Sequence, residues 1–264
     1  MWSKARVFFI LVVIIVAAFG YSYGKNAWYF KRASKYAKEG KFALSQHELE
    51  KMTCLTPSSI EECNQVLEIY LKSSNIQKLE YMAEFCENKG FKDKNFTLYK
   101  SKAKELRGDL TGALEVIGAQ VNSGSNEPEF HLTAAVLFTR LGKTPAAVAA
   151  YLKLFRSAGE NLDYKFRALG GLIDLKASEQ ALSIANVLAG QAYNQPIPYL
   201  LLARAFLQLD NRESAKQIFD KGISLLPALD EKVQTQITQN FQDVIQAIKT
   251  PSPAASDGKN VKKP

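Results

Sequence analysis

Three cysteines, two histidines and one pair of adjacent glutamates are the residues of this chain whose types could support chemistry. His47 and His131 lie far apart in sequence, with no cysteine or acidic ligand pattern around either, so they read as surface or packing histidines rather than metal ligands. Glu61-Glu62 falls in what should be the first turn of a helix, where carboxylates meet the positive end of the macrodipole. No nucleophile-elbow serine, phosphate-cradling glycine loop or dinucleotide fingerprint occurs, so the chain reads as a non-enzyme without cofactor or metal. The cysteines say more. Cys54 closes one helix and Cys63 opens the next, across the Thr56-Pro57-Ser58-Ser59 turn, and such ends can approach within disulfide range. A Cys54–Cys63 bridge would contribute about 2–3 kcal/mol and leave Cys86 single and buried; three free buried thiols are the equal alternative.

These residues sit on a chain with 34-residue periodicity. Ala113, Ala147, Ala181 and Ala215 are spaced 34 apart, and counting back in the same step reaches Leu79 and Ser45. A period of this length means stacked supersecondary units. Unit one, Asn26–Ser59, has helical apolar spacings at Tyr29, Ala33 and Tyr36, a turn at Gly40, a second stripe at Phe42, Leu49 and Met52, and a stop at Pro57. Unit two, Ile60–Asp93, breaks at Ser73-Ser74-Asn75. Later units turn at Gly108, Gly142 and Asp210-Asn211. The Gly170-Gly171 pair falls where a helix interior should be, a propensity cost of about 2 kcal/mol that close helix packing or a bend must explain. Residues 230–249 read as one terminal helix with an apolar stripe at Val233, Ile237, Phe241, Val244 and Ile248, able to cover the last repeat. Residues 250–264 lack apolar periodicity and read as disordered.

Residues 1–25 are an anchor or a signal. Every position from Val7 to Phe19 is apolar, after Lys4 and Arg6, and the uncharged span continues to Gly24. Ala18-Phe19-Gly20 resembles a signal-cleavage site. The 18 residues 7–24 equally suit a membrane-crossing helix with Tyr21, Tyr23, Trp28 and Tyr29 as its interfacial belt. The uncleaved anchor is favoured because the first repeat begins almost at once. Charge supports a membrane more than a nucleic acid. Of a net +8, seven charges lie before Gly108 (18 basic against 11 acidic residues), without the aromatic and glycine interleaving of single-strand binders. Flanking cations pull the topology both ways; a basic tail before a signal-like run and a long folded domain favours export.

The units resemble the tetratricopeptide repeat family. In the sixth, Tyr199, Leu202, Ala203, Phe206, Ala215, Phe219, Gly222 and Pro227 fall at the family's signature positions. Unit four matches with Ala134, Ala135, Phe138, Gly142, Ala147 and Tyr151, and unit one with Tyr29, Ala33, Tyr36, Gly40 and Pro57. The resemblance covers residues 26–229 and implies an all-α, right-handed α-solenoid of about six helix–turn–helix units, four of them clear. It also implies a groove lined by the first helix of each unit. Carried over by position, the fifth residues are Phe30, Asn64, Leu98, Leu132, Phe166 and Leu200, and the ninth include Val136, Gly170 and Arg204. This groove would suit an apolar peptide or helix face, and the carboxylate clamp of the chaperone-tail subfamily is absent. The same leucines and phenylalanines could instead pack only between helices. The expectation is therefore a single-pass, membrane-tethered protein-interaction scaffold with its repeats exported; a self-associating spacer is the alternative. The basic face Lys31, Arg32, Lys35 and Lys38 reads as solvated rather than lipid-bound.

Overall fold

Helix starts recur in two interleaved series in step with the alanine spacing. In the computed structural model, which describes residues 24–52 and 55–249, first helices begin at residues 60, 94, 128, 162 and 196, and second helices at 42, 76, 110, 144, 178 and 212. The hairpins are α1 (residues 24–38) with α2 (Phe42–Glu50), α3 (Ile60–Lys72) with α4 (Ile76–Asn88), and α5 (Lys94–Leu106) with α6 (Leu110–Asn122). They continue with α7 (Pro128–Arg140) and α8 (Thr144–Ser157), α9 (Leu162–Asp174) and α10 (Ser178–Ala189), then α11 (Pro196–Gln208) and α12 (Arg212–Ser224). A 3-10 turn at Leu226–Ala228 leads to α13 (Glu231–Asn240) and α14 (Gln242–Lys249). The described residues contain no strand. Nor is any helix among them long and apolar enough to cross a membrane; the anchor expected at residues 7–24 lies outside them, apart from Gly24. The tail expected at 250–264 lies outside them too.

Two compact units organise these helices, one ending at Ser125 and one starting at Asn126. The first packs Val66, Leu67, Leu79, Met82 and Phe96 around α3, α4 and α5. The second packs Leu154, Leu169, Leu172, Leu188, Leu202 and Phe206 between α8 and α12.

Each hairpin closes on the same two devices. The fourth residue of every second helix (Ser45, Leu79, Ala113, Ala147, Ala181, Ala215) is fully buried. Small residues here let the two helices of a hairpin approach closely, and Ser45 uses its hydroxyl to bond the Ala33 carbonyl of α1 at 2.7 Å. The turn between paired helices always carries one left-handed residue: Gly40, Ser74, Gly108, Gly142, Lys176 or Asp210, with φ between 56° and 85°. The next amide then reaches back to a carbonyl of the first helix, as Lys143 N does to Phe138 O at 2.9 Å and Ala177 N to Leu172 O at 2.9 Å. Glycine adopts this conformation freely. Lys176, which carries no turn signal in the sequence, pays for a Cβ there.

The Gly170-Gly171 pair divides in two. Close packing accounts for Gly171, where an added Cβ would lie 2.2 Å from the Tyr151 ring, whereas one at Gly170 would meet nothing within 4 Å. The terminal helix expected over 230–249 is instead two helices broken at Phe241. At the break Arg204 Nη2 donates to the Asn240 carbonyl at 3.1 Å, satisfying a carbonyl at the end of α13, and Phe241 and Val244 are buried while Val233 stays 45% exposed.

Three substitutions test these assignments by urea or thermal unfolding. Lys176→Gly should stabilise by about 1 kcal/mol, by relieving the left-handed residue. Gly170→Ala should stabilise by about 0.5–1 kcal/mol, since only helix propensity changes. Gly171→Ala should cost about 1–3 kcal/mol through overpacking on Tyr151.

Candidate functional site

The candidate site is the row of side chains on the first helices, and the structure divides it. In the second unit, Leu132 on α7 and Phe166 on α9 are half-buried, packed against the core with part of each side chain outward. Val136, one turn beyond Leu132, is 37% exposed. Gly170, one turn beyond Phe166, leaves open space above its Cα. Helical spacing of four residues puts each pair on one face. These positions form an accessible surface of apolar side chains beside bare backbone.

Leu200 and Arg204 on α11 do not continue it. Leu200 is 1% exposed, because α12 passes close over Gly222, where a Cβ would lie 3.2 Å from a Leu200 methyl. Arg204 is already engaged. Its guanidinium makes a bidentate pair with Asp243 of α14 (Nη2–Oδ1 2.7 Å, Nε–Oδ2 3.0 Å) and lies 4.7 Å from the Phe241 ring centroid. Arg204 therefore fastens the chain's own C-terminal helix instead of offering itself to a partner. The Arg204 hydrogen bonds hold the Asp243 carboxyl below its ordinary value. An amphipathic stripe in residues 230–249 was visible in the sequence, but pairing Asp243 with Arg204 across 39 residues needed the fold.

In the first unit, Phe30 lines a cleft of about 500 Å³ with Met52, Leu55, Pro57 and Gln65, and Lys31 and Lys38 stand at its rim. Asn64 interrupts the apolar row and donates to Asp93 at 2.8 Å, tying α3 to the start of α5. Leu98 on α5 is half-buried.

The cysteines pair differently from the expected Cys54–Cys63 bridge. Cys63 is bonded to Cys86, with Cα atoms 6.3 Å apart and both residues fully buried. The antiparallel α3–α4 hairpin sets the first turn of one helix beside the last turn of the other, so the bridge closes a hairpin rather than a turn. Residue 54 itself lies outside the described residues. Helix-length arithmetic within the hairpin could have found this pair; proximity in sequence pointed to the wrong one.

Glu61 and Glu62 occupy the first turn of α3, as expected. Glu62 accepts from the Ser58 amide at 2.7 Å while its own amide donates to Ser59 Oγ, so the pair caps a helix. His47 is exposed and His131 is buried. Among the described residues no group of three His, Cys, Asp or Glu side chains could hold a metal ion. Burial pushes the Tyr70 hydroxyl up to about 12, as suits a core tyrosine.

Two measurements check this geometry. Asp243→Asn should raise amide exchange across residues 242–249 several-fold while the α11–α12 hairpin stays protected. Because the folded carboxyl is depressed, the wild-type contact holds above the ordinary carboxylate range, around pH 4, and should loosen as pH falls through the folded value. Non-reducing peptide mapping should recover a Cys63–Cys86 pair, and a Cys54–Cys63 peptide would contradict the assignment.

No model of a known protein family matches the chain, and no curated protein matches its sequence. Solved structures do. The PilF protein of Pseudomonas aeruginosa aligns over 83% of this chain and 98% of its own, at 12% identity and a TM-score of 0.50. A tetratricopeptide repeat protein of Parabacteroides merdae aligns over 86% of this chain and 100% of its own, at 10% identity and a TM-score of 0.45. YrrB, a tetratricopeptide repeat protein described as having an unusual peptide-binding site, aligns over 69% of this chain and 92% of its own, at 10% identity and a TM-score of 0.44. With the in-phase hairpins and their shared left-handed turns, the likeness assigns this chain the tetratricopeptide-repeat-like fold.

Proposed function

We propose that the chain is a non-catalytic protein-interaction scaffold, tethered to a membrane through residues 7–24 and displaying its repeats in an oxidising compartment. The observation that carries the interaction reading is the accessible row of Leu132, Val136, Phe166 and the open Gly170 on the first helices of the second unit. A partner helix or extended peptide with an apolar face would bury these side chains and approach the α9 backbone closely over Gly170. Leu200 and Arg204 lie outside this surface, since one is core and the other holds α14. Folds of this kind host many unrelated roles, so the argument rests on the surface and not on the architecture.

The Cys63–Cys86 bond supports export, because disulfides persist in oxidising compartments and are rare where thiols are kept reduced. The uncharged 7–24 run, with cations on both flanks, supports the tether. Self-association into a spacer is the second reading, favoured by the same apolar surface.

Sedimentation of the detergent-solubilised full chain separates the two. A monomer is expected for the scaffold, and a concentration-dependent oligomer abolished by Phe166→Asp would establish the spacer. In the scaffold reading, Leu132→Asp with Phe166→Asp should weaken partner binding by tenfold or more at unchanged helical content. Leu200→Asp should instead lower stability by several kcal/mol, by leaving a charge unpaired in the core.

A further inference from the structure

We propose that the outward half of α1 is a lipid-contact surface that lies along an anionic bilayer; this rests on the membrane tether proposed above. One side of α1 is committed to the protein. Ala33 is fully buried, Ser34 Oγ donates to Gln65 Oε1 of α3 at 3.3 Å, and Phe30 and Ala37 line clefts against the same helix.

At 3.6 residues per turn, the outward half is dominated by two residue classes, with Lys31 and Lys38 at its edge, where they also line the clefts against α3. The first is cationic: Lys25, Lys31, Arg32, Lys35 and Lys38, with no carboxylate anywhere in residues 24–38. Lys25, Lys31 and Lys38 form no ion pair among the described residues, and the Lys35 side chain is 75% exposed. The two carboxylates that reach this face are shared with cations outside it: Glu39 lies 4.0 Å from Lys35 and 2.8 Å from Lys41, and Glu48 lies 3.5 Å from Arg32 and 2.9 Å from Lys51.

The second class is aromatic. Trp28 is 52% exposed, a poor place for an indole in water and a favourable one among headgroups. Tyr29 meets it edge-on with ring centroids 5.1 Å apart. The Arg32 guanidinium carbon lies 4.6 Å from the Trp28 ring centroid and 5.7 Å from that of Tyr36, and Nη2 donates to the Tyr36 hydroxyl at 3.1 Å. An amphipathic surface of indole, phenols and cations is what the headgroup region of an anionic membrane binds.

Position selects this occupant over an acidic protein. The described part of α1 starts at Gly24, where the uncharged run ends, so the tether would hold this face within reach of headgroups permanently. It also fixes the orientation. Lys25 and Lys38 are about 20 Å apart along the helix, and charges further than about 8 Å from the surface are screened at physiological salt. All five cations can act only if α1 lies along the membrane, not if it projects from it.

The test uses full-length Trp2→Phe protein, in which Trp28 is the sole tryptophan, in nanodiscs of phosphatidylcholine with or without phosphatidylglycerol. Trp28 emission should shift to the blue and its quenching by brominated lipid should rise several-fold when phosphatidylglycerol is present. Lys31→Gln with Lys35→Gln, or high salt, should remove both effects. Equal emission and quenching in the two discs would overturn the proposal and leave the face to an acidic protein. The tether is read separately: if alkaline carbonate releases the chain from membranes the anchor reading fails, while the lipid contact must still appear as salt-sensitive flotation with phosphatidylglycerol vesicles. Loss of both would end it.

Discussion

Close approach of the two helices within each hairpin is the constraint on which the other features depend. It is met at the fourth residue of each second helix, where Ser45, Leu79, Ala113, Ala147, Ala181 and Ala215 are sealed from solvent. Four of the six are alanine, which adds little volume and no side-chain entropy cost, so backbones can near one another while larger residues on either side fill the core. The left-handed turn residue at the end of each first helix then sets the return direction. With both devices repeated in step, the hairpins within each compact unit are built alike. Large apolar side chains such as Leu154, Leu172 and Phe206 can then be buried without any long-range strand pairing.

That economy leaves the ends and the first-helix faces to carry everything else. At the C-terminal end, Arg204 spends its fork on Asp243 and the Asn240 carbonyl, fixing α14 against α11. The last hairpin is thereby covered by the chain itself, and its position-nine arginine is removed from any external ligand. In the first unit, α1 turns aromatic rings and cations outward.

The 34-residue period, the turns at Gly40, Gly108 and Gly142 and the buried alanines were legible in the sequence because each is a local demand with a narrow choice of residue. Lys176 was not, because lysine carries no preference for a left-handed conformation and is tolerated there by the surrounding hairpin. Phe241 read as one more step of an apolar stripe; in the structure it separates α13 from α14, and Arg204, far away in sequence, bonds the carbonyl beside it. The cysteine pairing failed for a related reason. Nearness along the chain suggested Cys54 with Cys63, but antiparallel helices bring together the far ends of a hairpin, and Cys86 lies there. Family position likewise put Leu200 in a groove, whereas Gly222 draws it into the core.

The central claim is that recognition happens on the first-helix face of the second unit, and a paired site-specific cross-link tests it most directly. A photoreactive amino acid replacing Val136 is on that face, and the same substitution at Val187, 53% exposed on the second helix α10, is a matched apolar control. Irradiation in cells should give a discrete adduct from position 136, lost when Phe166→Asp is added, and none from position 187. Adducts of equal yield from both positions, or none from 136 in a folded protein, would contradict the account.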